Sequence, residues 1–184
     1  MKIKEPKLEI TTLGAGCFWC VEAVFQRLQG VEKIESGYSG GHVENPTYKE
    51  ICGKKTGHAE VAQIYFNPEI ISFEEILEVF WYTHDPTTID QQGNDKGPQY
   101  RSEIFYHNEK QKSTAEISKA DVAILMWHDP IVTKISPLIN YYPAERYHQD
   151  YFNLNPTAGY CQFVVNPKVQ KFKAKYAKRL KEVK

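Results

Sequence analysis

The sequence predicts a mixed α/β domain built in layers, and three observations lead there. Short apolar runs, Leu8 to Leu13, Val31 to Tyr38 and Ala59 to Phe66, have the length and composition of strands. Between them lie stretches in which apolar residues recur at three- and four-residue steps, the spacing of one helix face. Such interleaving belongs to helices packed on a sheet. The chain has 184 residues, 41% of them hydrophobic, which suits one compact globular domain over 1–184 with a core of ordinary size. Neither repeats nor low-complexity tracts interrupt it.

The first strand, Leu8 to Leu13, gives way through Gly14-Ala15-Gly16 to an amphipathic helix starting near Cys17. Gly30, just after Leu28 and Gln29, reads as a helix stop before the strand Val31 to Tyr38. Ser36 to Pro46 is turn-rich, with three glycines, and Asn45 and Pro46 stand in cap and first-turn order ahead of a short helix over Thr47 to Cys52. Ala59 to Phe66 reads as a buried strand. Ser72 and Glu75 form a capping box before the helix face Phe73, Ile76, Leu77 and Phe80, which should end near His84, ahead of Pro86. Thr87 to Gln99 has no apolar period, and loops of that length inside a compact domain commonly carry function. Strands at Arg101 to Tyr106 and Ile131 to Ile135 flank a helix from Glu109 to Leu125, and Glu145 to Leu154 is a further helix. Val169, Phe172, Tyr176, Leu180 and Val183 then recur at helical steps through a basic C-terminal helix, 168–184.

Composition narrows the function. Lys and Arg number 23, as do Asp and Glu, and the pI is near 7, so the overall balance draws the protein neither to nucleic acid nor to an anionic membrane. The C-terminal segment is the exception, with eight Lys or Arg against Glu182, a net +7 offset by −7 over residues 1–167. Its favoured reading is a docked helix whose lysines balance the acidic body, ahead of a surface that binds acidic membrane or RNA. The N-terminal residues do not look like a signal peptide, and no run approaches membrane-spanning length, so a cytoplasmic location is expected. In that reducing compartment four cysteines are expected to be catalytic or metal-binding rather than structural disulfides.

Cys17 and Cys20 stand three residues apart where strand turns to helix. A helix N-terminus favours the thiolate, and only the thiolate is a nucleophile, so Cys17 at the helix start is the candidate nucleophile and Cys20, one turn in, lies within disulfide reach. Zinc is disfavoured, because Cys52 and Cys161 stand alone without a partner at ligand spacing. A dinucleotide site fails because Trp19 occupies the third glycine position of the fingerprint. Gly37-Tyr38-Ser39-Gly40-Gly41 matches a nucleophile-elbow string, but no helix can follow it. Phe18 and Trp19 beside the nucleophile form a small apolar substrate pocket or, for Phe18 with equal weight, part of the core. Glu60 opens an otherwise apolar strand, where burial keeps a carboxyl protonated near neutral pH; its alternative is a solvated strand end.

Gly16-Cys17-Phe18-Trp19 resembles the signature of the A-type peptide methionine sulfoxide reductases, and the likeness runs from residue 8 to about residue 161. It takes in Ser36-Gly37-Tyr38-Ser39-Gly40-Gly41, Asn45-Pro46-Thr47-Tyr48, Thr56-Gly57-His58-Ala59-Glu60, His84-Asp85-Pro86-Thr87 and Gln92-Gly93-Asn94-Asp95. It continues through Gln99-Tyr100-Arg101-Ser102, Tyr142-Pro143-Ala144-Glu145, Tyr147-His148-Gln149 and Gly159-Tyr160-Cys161. The resemblance implies a ferredoxin-like α/β sandwich, a mixed sheet with flanking helices and a long C-terminal coil. It implies thiol reduction of methionine-S-sulfoxide, free and in proteins, with thioredoxin as reductant, no cofactor and no metal; a monomer is expected.

Carried over residue by residue, the resemblance makes Cys17 the nucleophile, Glu60 the proton donor, Tyr48 and Tyr100 donors to the sulfoxide oxygen, and Asp95 the holder of a site water or substrate. Phe18, Trp19, His148 and Tyr160 contact substrate. Cys161 matches the resolving cysteine of many members, while Cys20 replaces the usual glycine and matches a subclass that resolves there. Having both permits a relay, and a freely moving Gly-flanked coil favours Cys161 reacting first. Cys52 is expected to be a small buried hydrophobe. Arg146 departs from the acidic residue expected between Glu145 and Tyr147, which bears on His148. The rival readings are a general thiol-disulfide oxidoreductase and a redox-sensing binding module docked through its basic tail.

Overall fold

The computed structural model describes residues 7–182. A mixed six-stranded sheet forms its centre, in the order β7-β6-β1-β3-β2-β8. β1 (Glu9–Ala15) and β3 (Ala59–Phe66) are antiparallel neighbours in the middle, and β2 (Val31–Ser39) lies antiparallel on the far side of β3. β6 (Ser102–Tyr106) pairs antiparallel with β1. Being central, β3 is buried along nearly its whole length, which explains its unbroken apolar character apart from Glu60 and Gln63.

α1 (Phe18–Phe25) is buried almost throughout because it packs across the sheet beneath later elements. α3 (Phe73–Thr83) starts at the expected capping box, in which the Ser72 hydroxyl accepts the Glu75 N–H and the Glu75 carboxylate accepts the Ser72 N–H. Its Ile76, Leu77, Phe80 and Trp81 enter the core with Leu13, Phe25, Ile64 and Phe66. The α/β class and the flanking helices are as the sequence reads.

Several boundaries differ, each for a local or tertiary reason. α1 ends at Phe25, and Gly30 serves the turn into β2: its φ is +83°, and a Cβ there would meet Ile71 Cγ2 at 2.6 Å. α2 (Tyr48–Cys52) is capped by Thr47, in a second capping box with Glu50, rather than by Asn45. The unpatterned loop folds into a hairpin of β4 (Gln91–Gln92) and β5 (Asp95–Lys96), followed by a 3₁₀ turn at Pro98–Tyr100. The helix expected to Leu125 is α4 (Glu109–Ser118), a π turn over Lys119–Ala123, and α5 (Ile124–Met126).

The strand placed at Ile131 to Ile135 is instead β7 (Lys134–Pro137), parallel to β6, and β8 (Tyr141–Pro143), not foreseen, pairs with β2. The helix expected over Glu145 to Leu154 is broken. It is a 3₁₀ turn, Arg146–His148, then α6 (Tyr151–Leu154), with Asp150 between them in the left-handed region at φ +53°. Glu22 makes that break: its carboxylate accepts the N–H groups of Asp150 at 2.9 Å and Tyr151 at 3.3 Å.

The C-terminal helix is likewise shorter than 168–184. α7 (Asn166–Lys175) is followed by Tyr176 and a 3₁₀ turn, Ala177–Arg179. Backbone pairing with the α1–β2 connection takes over there, with Gln29 N–H on the Arg179 carbonyl and Lys181 N–H on the Arg27 carbonyl, both at 2.9 Å. Val183 and Lys184 lie outside the described residues. α7 is docked: Val169 and Phe172 are buried, Arg179 pairs with Glu75, and the Lys171 ammonium sits 4.8 Å from the Tyr82 ring centre.

Candidate active site

The turn from β1 into α1 demands glycine at position 16. Its φ is +84°, and a Cβ would meet Gln92 Cγ at 2.6 Å. Gly16→Ala is therefore expected to destabilise the reduced protein by about 1–3 kcal/mol, the usual cost of a strained backbone. Urea unfolding measures this, and an unchanged midpoint would mean that the turn and the Gln92 side chain relax freely. Cys17 is the N-cap of α1, and its carbonyl accepts the Cys20 N–H at 3.0 Å.

Across from Cys17, Glu60 Oε2 accepts the Phe18 N–H at 3.1 Å, satisfying one of the orphan donors at the helix start. Glu60 is only 1% exposed. Burial pushes its carboxyl up to about 8, with Asp95 and Cys20 adding to the rise and the Phe18 hydrogen bond opposing it. At neutral pH this group is an acid with a proton to give.

The thiols behave differently from the expectation that the helix start ionises Cys17. Burial first, then contact with the Cys20 thiol and proximity to Glu60, raises Cys17 well above the usual thiol value. Desolvation of a fully buried group amounts to several pKa units, whereas a helix end contributes at most about 2 kcal/mol, so desolvation wins. Cys20 is lowered, chiefly by its contact with Cys17, with Lys168 and Tyr160 helping against burial and Asp95. All four cysteines are free thiols.

Tyr48, at the first position of α2, and Tyr100, at the end of the 3₁₀ turn, are both raised by burial and next by the Glu60 charge, so both phenols stay protonated donors. The Tyr160 hydroxyl donates to Asp95 Oδ2 at 2.5 Å and also contacts Cys17 and Cys20. Asp95 therefore bears on the thiols through Tyr160.

Phe18 is fully buried, its ring 5.8 Å from Tyr38 and 6.4 Å from Tyr48. Trp19 is partly open and lies flat on Tyr151, ring centres 3.8 Å apart at 6°. Its indole N–H donates to His148 Nδ1 at 3.2 Å. Indole nitrogen is donor only, so Nδ1 is unprotonated and the neutral ring carries its hydrogen on Nε2. Burial keeps His148 below its usual pKa, against the opposing pull of Glu145. Arg146 is exposed on the turn, and the polar neighbours of His148 are Trp19 and Glu145.

Glu145 was not singled out from the sequence, yet it ties the site together. It accepts the Tyr38 hydroxyl at 2.8 Å and the Tyr48 N–H at 2.7 Å. No spacing rule links residues about a hundred positions apart, so no local signal exposes it. Two cysteines stand apart from their expected settings. Cys161 is buried at the start of a π turn, Cys161–Val165, rather than in a free coil, and burial raises its thiol. Cys52 is exposed at the end of α2, beside Tyr48, because a five-residue surface helix buries only Ile51. Among the described residues no group of three or more His, Cys, Asp or Glu is placed to hold a metal ion.

Paired thiols at a strand-to-helix junction, with a protonated carboxyl and phenols turned toward them, define a thiol-based oxidoreductase. Its class is narrowed by comparison with known proteins. The chain belongs to the peptide methionine sulfoxide reductase family, whose model matches residues 9–181. Peptide methionine sulfoxide reductase MsrA 1 of Rhodopirellula baltica is 54% identical, over 96% of this chain and 91% of that one. Among solved structures, reduced Mxr1 from Saccharomyces cerevisiae superposes with a TM-score of 0.79 at 36% identity, covering 87% of this chain and 92% of that one. Mxr1 crystallised in complex with Trx2 matches with a TM-score of 0.52 at 25% identity, covering 82% of this chain and 89% of that one.

Proposed function

We propose that this chain reduces methionine-S-sulfoxide, free and in proteins, with Cys17 as the sulfur that takes up the oxygen. Sulfoxide sulfur is a poor electrophile until its oxygen receives a proton, because weakening the S–O bond builds negative charge there. Glu60 supplies that proton, and Tyr48 and Tyr100 donate hydrogen bonds to the same oxygen. The Cys17 thiol gives its own proton back to Glu60 as it attacks, so the buried site gains no net charge. Methionine leaves and Cys17 remains as sulfenic acid. Phe18 and Trp19 enclose the substrate methyl group, with His148 and Tyr160 behind them.

The sulfenic acid then condenses with a thiol and releases water. Cys20, in contact with Cys17 and lowered in pKa, is the first partner, and buried Cys161 takes the disulfide afterwards. This reverses the order favoured by a mobile C-terminal coil. Thioredoxin returns the enzyme to its dithiol state, as the complex of yeast Mxr1 with Trx2 supports. We infer a cytoplasmic monomer that repairs oxidised proteins; among the described residues no helix is long and apolar enough to cross a membrane.

The observation that carries this reading is the Glu60 carboxyl, with its pKa of about 8, hydrogen-bonded at 3.1 Å to the residue after Cys17. Membership of the peptide methionine sulfoxide reductase family favours sulfoxide reduction over general thiol-disulfide exchange as the use of that acid. Adding one equivalent of methionine-S-sulfoxide to the reduced protein should release methionine and remove two thiols, with Cys17 and Cys20 found in one disulfide by mass spectrometry. Release of no methionine would overturn the proposal.

A further inference from the structure

The basic C-terminal segment has no part in the reaction described so far, yet one of its lysines reaches the thiols. α7 packs on α1 with Val169 and Phe172 buried, and it brings Lys168 to the same cleft as Cys20. The two residues line one narrow cleft of about 10 Å³, together with Ala15, Val21, Val24 and His84. Among the described residues Lys168 has no carboxylate within 4.0 Å. His84 across the cleft is neutral, since burial holds it at about 4 while its two ring nitrogens engage the Phe80 carbonyl at 2.6 Å and the Ser102 hydroxyl at 2.7 Å.

We propose that Lys168 is a positioning residue for the resolving step, its unpaired ammonium holding Cys20 as the thiolate that attacks the Cys17 sulfenic acid. The inference rests on the sulfenic acid forming at Cys17. Other groups face Cys20 from their own elements: Cys17 and Tyr160 favour the thiolate by direct contact, Asp95 in β5 opposes it, and Glu60 in β3 and the Cys161 thiol interact with it electrostatically. Once Cys17 is oxidised its thiol contact is gone, and Lys168 is the remaining full positive charge beside Cys20. With no carboxylate close enough to compensate it, an ammonium beside a buried thiol stabilises the thiolate. In the step itself, the Cys20 sulfur forms a bond to the Cys17 sulfur and the Cys17 S–O bond breaks. The departing hydroxide takes a proton and leaves as water; Cys17 is reduced and Cys20 oxidised, with no outside electron donor.

The test uses the full chain carrying Cys161→Ser, so that Cys20 is left to resolve, with Lys168→Gln or Lys168→Arg added. Each reduced protein is mixed with one equivalent of methionine-S-sulfoxide, and methionine and the Cys17–Cys20 disulfide are followed by rapid quench and mass spectrometry. Methionine should appear in all three, which also shows that they are folded. Disulfide formation should slow about five- to tenfold in Lys168→Gln, with its pH midpoint moved upward, and recover in Lys168→Arg. Equal disulfide rates would overturn the role, and so would a slow rate that arginine fails to restore, since that marks packing rather than charge. Absence of methionine even with Lys168 intact would instead sink the sulfenic-acid reading on which the inference stands.

Discussion

Replacing Cys17 by serine is expected to abolish methionine release from a methionine sulfoxide peptide, even with dithiothreitol supplying electrons, by a factor on the order of 10⁴ or more. The size follows from the role. A hydroxyl cannot accept the sulfoxide oxygen as a sulfenic acid, and Cys17 is the thiol that lies near Glu60, Tyr100 and Tyr160 together. Cys20 lies one helical turn deeper, and Cys161 is enclosed in the π turn. Since the N-cap carbonyl of residue 17 holds the first turn of α1 and its side chain makes no cap, serine there should leave the fold intact, which circular dichroism can verify. Turnover by the serine variant would place the nucleophile at another thiol.

The second large effect is expected at Glu60. Glutamine preserves the hydrogen bond from the Phe18 N–H but has no proton to donate, so the first turnover should fall by about 10²- to 10⁴-fold. The pH dependence carries the sign of the assignment. Burial raises the carboxyl to about 8, so the proton is present below that value and lost above it. Single-turnover methionine release should therefore be level through neutrality and decline above about pH 8, roughly tenfold per pH unit at the limit. Glu60→Gln should lose that decline along with the rate. A variant that is slow but still falls off above the same pH would assign the titration to a group other than Glu60.

Much of this was legible before folding because it is local. The Ser72–Glu75 capping box lies within four positions, and the strand Ala59 to Phe66 announces itself by an apolar run around one carboxylate, whereas Asn45 and Pro46 hide the Thr47–Glu50 box. The cysteine pair at the β1–α1 turn could be read the same way. The misreadings share a different cause. Lys134–Pro137 and Tyr141–Pro143 are strands because β6 and β2 offer open edges for them, which nothing in their own composition reports. The helix through Glu145 breaks at Asp150 because Glu22, about 130 residues earlier, captures the backbone N–H groups of the turn.

The basic tail shows both sides. Its periodicity marks a docked helix, but the point where it stops is set by backbone pairing of Arg179 and Lys181 with the end of α1. In the same way, the residue types that make this a sulfur enzyme were determined by the sequence alone, because thiols, an acid and phenols keep their chemistry wherever the chain puts them. What only the tertiary structure decided is their state: Cys17 raised and Cys20 lowered, Glu60 protonated at neutrality, Asp95 acting through Tyr160, His148 tied to Trp19. Charge and tautomer depend on desolvation and on neighbours brought from distant parts of the chain, and neither exists until the chain has folded.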